Sequence, residues 1–161
     1  MPDRGSPNRT WVPRSGTAAG LLVAVLASGC TLPRWPVEGP VTSAFGVRWR
    51  GTLPEIHRGV DIGVPSGTEV RAMSGARVRF AGVQGDYGNV VWLDHGGRVL
   101  TVYAHLSEVR VATGEAVRSG QVIGLSGASG NAGGPHLHFE VWRWGTQTDP
   151  APLLGGSPGG G

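Results

Sequence analysis

Four of the five histidines, together with one aspartate, fall into three short patterns. His57-Arg58-Gly59-Val60-Asp61 sets an imidazole and a carboxylate four residues apart, and His136-Leu137-His138 sets two imidazoles two apart. His105 closes Tyr103-Ala104-His105. On a strand, residues two or four apart share a face, so each pattern can present its polar groups to one cavity. Gly59, Pro54 and Pro65 argue against a helix around the first pattern. Two imidazoles on an otherwise apolar strand are costly unless something uses their nitrogens. A divalent metal suits this donor set. Zinc takes His nitrogen and Asp oxygen, and a catalytic zinc keeps three protein ligands and one open position. Spacing alone does not choose three ligands among His57, Asp61, His105, His136 and His138; His57, His136 and His138 would also serve.

The elements that must position these groups read as β-structure. Between Val41 and Asp149 the apolar residues recur with period two. Strands are expected over 89–93, 98–106, 121–125 and 136–142, with Leu100, Val102, Ala104 and Leu106 on one face. Leu137, Phe139 and Val141 are expected in the core. Glycines such as Gly75, Gly88, Gly96, Gly97, Gly114 and Gly127 mark the joins. Residues 67–82 and 114–127 echo one another as glycine, Val-Arg, turn and apolar strand. The expectation is an all-β fold, a compact two-sheet antiparallel β-sandwich or open barrel. Asp94 and His95 precede Gly96-Gly97 and read as turn residues. Gly124, Gly127 and Gly130 lack phosphate-loop spacing, and a strand follows them. Arg48 to Thr52 reads as a loop beside the first pattern, able to line a groove, as are Trp142 to Trp144.

Composition agrees with a single folded domain. Of 161 residues, 29 are glycine and 12 proline, which disfavours long helices. Hydrophobic residues at 39% against 16% charged residues favour a folded chain over a disordered one. All 14 basic residues are arginine, and the formal net charge is +3.

Residues 1–29 read as an export leader. Thr17 to Ser28 is an apolar run too short to span a bilayer, where about 20 residues are needed. Leu26-Ala27-Ser28-Gly29-Cys30 resembles a bacterial lipobox, which would leave Cys30, the single cysteine, as a lipid-bearing first residue. Loss of Asp3, Arg4, Arg9 and Arg14 would leave 11 arginines against 10 acids, too balanced for a nucleic-acid partner. Residues 30–40, with three prolines, read as a short stiff tether, and 151–161 as a disordered glycine-rich tail. The domain itself is expected over 41–150. The protein is thus expected outside the cytoplasm and held to a membrane.

HRGVDIGVPSGTEVRA, DYGNVVWLDHG, LTVYAHLSEVRVATGEAVRSGQVIGLSGASG and GPHLHFEV, in that order, resemble the lysostaphin/LytM-type zinc metallopeptidases, a duplicated-hybrid-motif family. The resemblance runs from about Pro40 to Asp149. It implies a zinc endopeptidase that cuts peptide bonds of bacterial peptidoglycan. By the match, His57, Asp61 and His138 hold one zinc, and His105 and His136 are catalytic. His136 is then the candidate general base, and His105 steadies the oxyanion or orients the water, in roles that could be exchanged. Glu140 shares the His138 face, but no H-E-x-x-H pattern supports it as the base.

Rival classes are distinguishable. The 67–82 and 114–127 echo also resembles biotinyl and lipoyl carrier domains, which need a lysine; the chain has none. A non-hydrolytic activator of another wall hydrolase usually shows a broken H-x-x-x-D or H-x-H motif, and both are whole here. A zinc- or wall-binding module without turnover would not need both His105 and His136. The expected partners are peptidoglycan peptides, a membrane through Cys30 and, on the activator reading, a wall hydrolase, with the chain itself monomeric.

Overall fold

The computed structural model describes residues 32–159, so the leader over 1–29 and the lipidation position Cys30 lie outside the described residues. The described chain is built from short strands: β1 (Val41–Ser43), β2 (Gly46–Arg50), β3 (Leu53–His57), β4 (Val60–Ile62), β5 (Glu69–Arg71), β6 (Ala76–Val83), β7 (Asn89–Asp94), β8 (Val99–Leu106), β9 (Glu108–Val109), β10 (Ala116–Val117), β11 (Val122–Leu125), β12 (Leu137–Arg143) and β13 (Thr146–Thr148). A 3-10 turn at Gly85–Tyr87 and a one-turn helix, α1 (Ala151–Leu154), are the helical pieces among the described residues. The all-β expectation holds.

A large antiparallel sheet runs β1-β4-β12-β8-β7-β6-β10, with β13 beside the far half of β12. A three-stranded sheet, β5-β11-β9, packs across it, and β2-β3 forms a separate hairpin. Ile62, Leu93, Tyr103, Leu137 and Phe139 from the large sheet meet Val70 and Ile123 from the small one, all with no exposed surface. This layer is the main core. The other face of the large sheet carries a smaller cluster, Val90, Val102 and Ala104, under Tyr87, Trp92 and Trp142.

The sequence echo has a structural counterpart. Residues 67–82 hold β5 and all of β6 but its last residue, and within 114–127 lie β10 and β11. Strand β11 pairs with β5 and β10 with β6, so the two echoes interlock.

Two expectations about the ends differ from the structure. Where prolines predict a tether, Val37 is buried in the main core and Trp35 packs on Phe139, ring centroids 6.2 Å apart. Backbone bonds from Arg34 to Met73 and from Arg71 to Pro36 fasten this segment. Apolar side chains at 35 and 37 outweigh the stiffness that the prolines supply. At the other end, α1 turns Leu154 against the same core. The expected loop at Arg48–Thr52 is instead β2 and the tip of its hairpin with β3.

Candidate active site

Strand β12 organises the site by alternation. Leu137, Phe139 and Val141 face the core with no exposed surface, and His138 and Glu140 face the opposite side. Register then delivers the partner: Asp61 on β4 lies directly across from His138. Paired residues on neighbouring antiparallel strands hold their Cβ atoms about 5 Å apart, close enough to share a ligand. Gly59 makes the approach possible. A Cβ there would sit 2.4 Å from the Phe139 carbonyl oxygen and 2.9 Å from Glu140 Cγ. His57, four residues before Asp61, ends β3 and is buried.

Three donor atoms converge. His57 Nε2 lies 3.1 Å from Asp61 Oδ1 and 3.2 Å from His138 Nδ1, and His138 Nδ1 lies 2.8 Å from Asp61 Oδ1. Ligands in a tetrahedron at about 2.0–2.1 Å from zinc stand roughly 3.3 Å apart, close to these separations. Among the described residues, His57, Asp61 and His138 form a group whose donor atoms lie close enough together to hold a metal ion. Each is held from behind by a partner on its outward atom, which leaves the inward atom to supply a lone pair once a metal displaces any proton on it. His57 Nδ1 donates to the Ala44 carbonyl at 2.8 Å. His138 Nε2 donates to Glu140 Oε1 at 3.0 Å. Arg48 donates to Asp61 Oδ2 at 3.3 Å, to Ser43 Oγ at 2.9 Å and to both oxygens of Glu55. Such outer partners are what metal-ligating imidazoles and carboxylates require.

The charges are coupled accordingly. Burial alone would raise the Asp61 carboxyl, but hydrogen bonds from His138 and His57 hold it well below the usual carboxylate range. Burial opposes charge on His138, yet Asp61 and Glu140 push its pKa up to about 9. Glu140 is 1% exposed and accepts from Tyr87 Oη at 2.7 Å and Trp142 Nε1 at 2.6 Å besides His138. Burial raises its pKa, but these three donors bring it below the ordinary value. A carboxylate whose oxygens are engaged by three donors is placed to hold His138 rather than to take a proton from water.

His105 arrives by a different route. Simple alternation along β8 puts it on the core side with Tyr103. Instead, a bulge sets Ala104 and His105 against Val90, between the Asn89–Leu106 and Val91–Tyr103 pairs. His105 takes φ = 61°, and Leu106 drops into the main core, away from the face of Val102 and Ala104 on which alternation placed it. A bulge re-aims a side chain in this way. The His105 ring thereby reaches His136, centroids 4.8 Å apart, and His138, 5.8 Å. Its Nδ1 donates to the Ser129 carbonyl at 2.9 Å, and burial lowers its pKa despite that bond. His136 bridges to Gly127, donates from Nδ1 to the Gly134 carbonyl at 2.8 Å and brings Nε2 to 3.7 Å from Asp61 Oδ1. All five residues singled out in the sequence therefore line one open groove of about 770 Å³. Arg48 and Glu140 complete the set behind the ligands; periodicity put Glu140 on this face, and no spacing signal pointed to Arg48 reaching Asp61.

A family model described as peptidase family M23 matches residues 55–150. The chain belongs to that family. The catalytic domain of lysostaphin from Staphylococcus simulans superposes with a TM-score of 0.66 at 34% identity, over 72% of this chain and 92% of that one. A murein hydrolase activator, EnvC, from Escherichia coli is 40% identical over 121 residues, 75% of this chain and 28% of the relative. The DD-carboxypeptidase/endopeptidase Mpg of Neisseria meningitidis is 42% identical over 112 residues, 68% of this chain and 26% of the relative. This M23 chain thus spans about a quarter of the length of the curated relatives it matches.

Proposed function

We propose that the chain is a zinc endopeptidase that hydrolyses peptide bonds of peptidoglycan. The observation that carries this reading is the convergence of His57 Nε2, Asp61 Oδ1 and His138 Nδ1 within 3.2 Å, beside two more imidazoles in an open groove. His57, Asp61 and His138 would hold the metal. Bound there, zinc would polarise a substrate carbonyl and lower the pKa of a coordinated water to about 7. His105 and His136 each spend Nδ1–H on a carbonyl and keep Nε2 as an acceptor. One Nε2 takes the proton of the attacking water, and the pair returns a proton to the leaving amine. Arg48 and Glu140 keep the ligand atoms aimed.

Soluble residues 31–161 and the His138→Ala variant, each incubated with purified peptidoglycan, give the test. New peptide termini found by mass spectrometry with the parent alone support hydrolysis. His105→Ala and His136→Ala should each slow turnover by about 10²–10⁴ with zinc content unchanged. No cleavage by folded, zinc-loaded protein would favour a second reading, an activator of another wall hydrolase, which the similarity to EnvC supports.

The setting we propose is a lipoprotein anchored through Cys30, facing the wall from a membrane. Cys30→Ser should release the protein from membranes, and continued retention would refute the anchor.

A further inference from the structure

The β2-β3 hairpin separates two cavities. Its Arg48, Glu55 and His57 side faces the catalytic groove. On its other side Val47, Trp49 and Ile56 share a face and are each more than 70% exposed. A side pocket of about 700 Å³ lies against this second face, lined by Phe45, Ile56, Arg58, Trp142 and Gln147. Ile56 and Arg58 line both cavities, so the two adjoin at these residues.

The chemistry of that pocket is specific. Phe45, Ile56 and Trp142 give it apolar walls, and it has no acidic lining residue. Two arginines line the catalytic groove, and Arg48 is taken up by Asp61, Glu55 and Ser43. Arg58 is exposed and makes no hydrogen bond or ion pair among the described residues, and the Gln147 side-chain amide is likewise unpaired there. Arg58 lines the same groove as His57, Asp61 and His138, so a group held by it lies within that groove. We propose that Arg58 and this side pocket form a subsite for a substrate residue with an aliphatic stem ending in a carboxylate. Methylenes pack on Phe45, Ile56 and Trp142; the carboxylate meets the guanidinium fork, with Gln147 as a second donor. A glycine bridge has neither group, so the subsite sets a preference for stem peptides that carry a free carboxylate at this position. This rests on the peptidase reading above.

Matched synthetic cross-linked stem peptides test it, one with meso-diaminopimelate carrying the free side-chain carboxylate and one with that carboxylate as carboxamide. The readout is the ratio of the two kcat/KM values. Wild-type protein should favour the carboxylate about tenfold or more, since a charge-assisted hydrogen bond is lost with the amide. Arg58→Met should bring the ratio towards one, and Arg58→Lys should retain part of it. A wild-type ratio near one, or a ratio that survives Arg58→Met, overturns the subsite. If zinc-loaded protein cuts neither peptide, the peptidase reading fails separately, and affinity decides the subsite. Dissociation constants would then come from NMR titration of the Trp142 indole and Gln147 amide signals. An Arg58-dependent preference for the carboxylate supports it, and equal constants overturn it.

Discussion

His105 holds φ = 61°, in the left-handed region that side chains with a Cβ avoid. The ring reaches the groove only because the backbone accepts this, so fold stability and site geometry are opposed at one residue. The His105→Gly protein should therefore be more stable than His105→Ala by about 1 kcal/mol in urea melts, with both losing turnover. Equal stabilities would mean the backbone there is unstrained. Glu140 poses the opposite case, a side chain whose surroundings satisfy it fully. It fixes which His138 nitrogen faces Asp61, through a 3.0 Å bond. Glu140→Gln keeps the volume but turns an amide N–H towards one of three donors. Zinc affinity by chelator competition should drop about 10–100-fold. Unchanged affinity at unchanged melting temperature would show that Glu140 only fills space.

At the scale of elements, the site exists because β4 and β12 pair in one register, Asp61 against His138. Gly59 is where that pairing is tightest, since any Cβ meets the Phe139 carbonyl at 2.4 Å. Gly59→Ala should cost about 1–3 kcal/mol and push β4 from β12, so that folded protein also binds zinc less well. Full zinc affinity in a merely less stable protein would contradict this. Period-two reading found β12 and its two faces, because a buried strand with one polar face leaves a plain alternation. It missed the bulge at Ala104–His105, since an inserted residue shifts the phase without changing residue types. It also read Arg48–Thr52 as a loop, because one hairpin face, Val47, Trp49 and Ile56, is apolar yet exposed. The β7–β8 turn was legible from Asp94-His95-Gly96-Gly97, but not the burial of His95 between Ser74 and Thr101, at 2.7 and 2.8 Å. That burial lowers its pKa below 6.5, against the Gly75 carbonyl and Asp94. The unfolded chain then binds the proton first, so stability falls as pH drops below about 6.5 and levels off beneath the folded-state pKa. His95→Gln should flatten part of that slope in urea melts at pH 7.5 and 5.5; an identical slope would leave the loss to other groups.

For the whole molecule, the ends decide how the domain is bounded and how near a surface it can sit. The sequence places the domain at 41–150 because strand alternation begins and stops there, and prolines on one side and glycines on the other carry no periodic signal. Burial follows a different rule: single apolar residues at the right distance join a core without any pattern. Val37 is 7% exposed, Trp35 stacks near Phe139, and Leu154 packs from the other end. With residues 34–37 fastened, a lipid on Cys30 would leave four steps of chain to Arg34, at most about 15 Å, so the domain would ride close against its membrane. The docking can be measured without the lipid. A chain begun at Val41 loses the Val37 and Trp35 burial and the backbone bonds between Arg34 and Met73 and between Arg71 and Pro36. Burial of one valine alone contributes about 1.5–3 kcal/mol, so that chain should be less stable than one begun at Leu32 by at least about 2 kcal/mol. Trp35→Ala in the longer chain should reproduce part of the same loss, since it empties the space over Phe139. If both chains melt alike, residues 32–40 contribute nothing to the folded domain, and the reach of any anchor returns to the full length of a free tether.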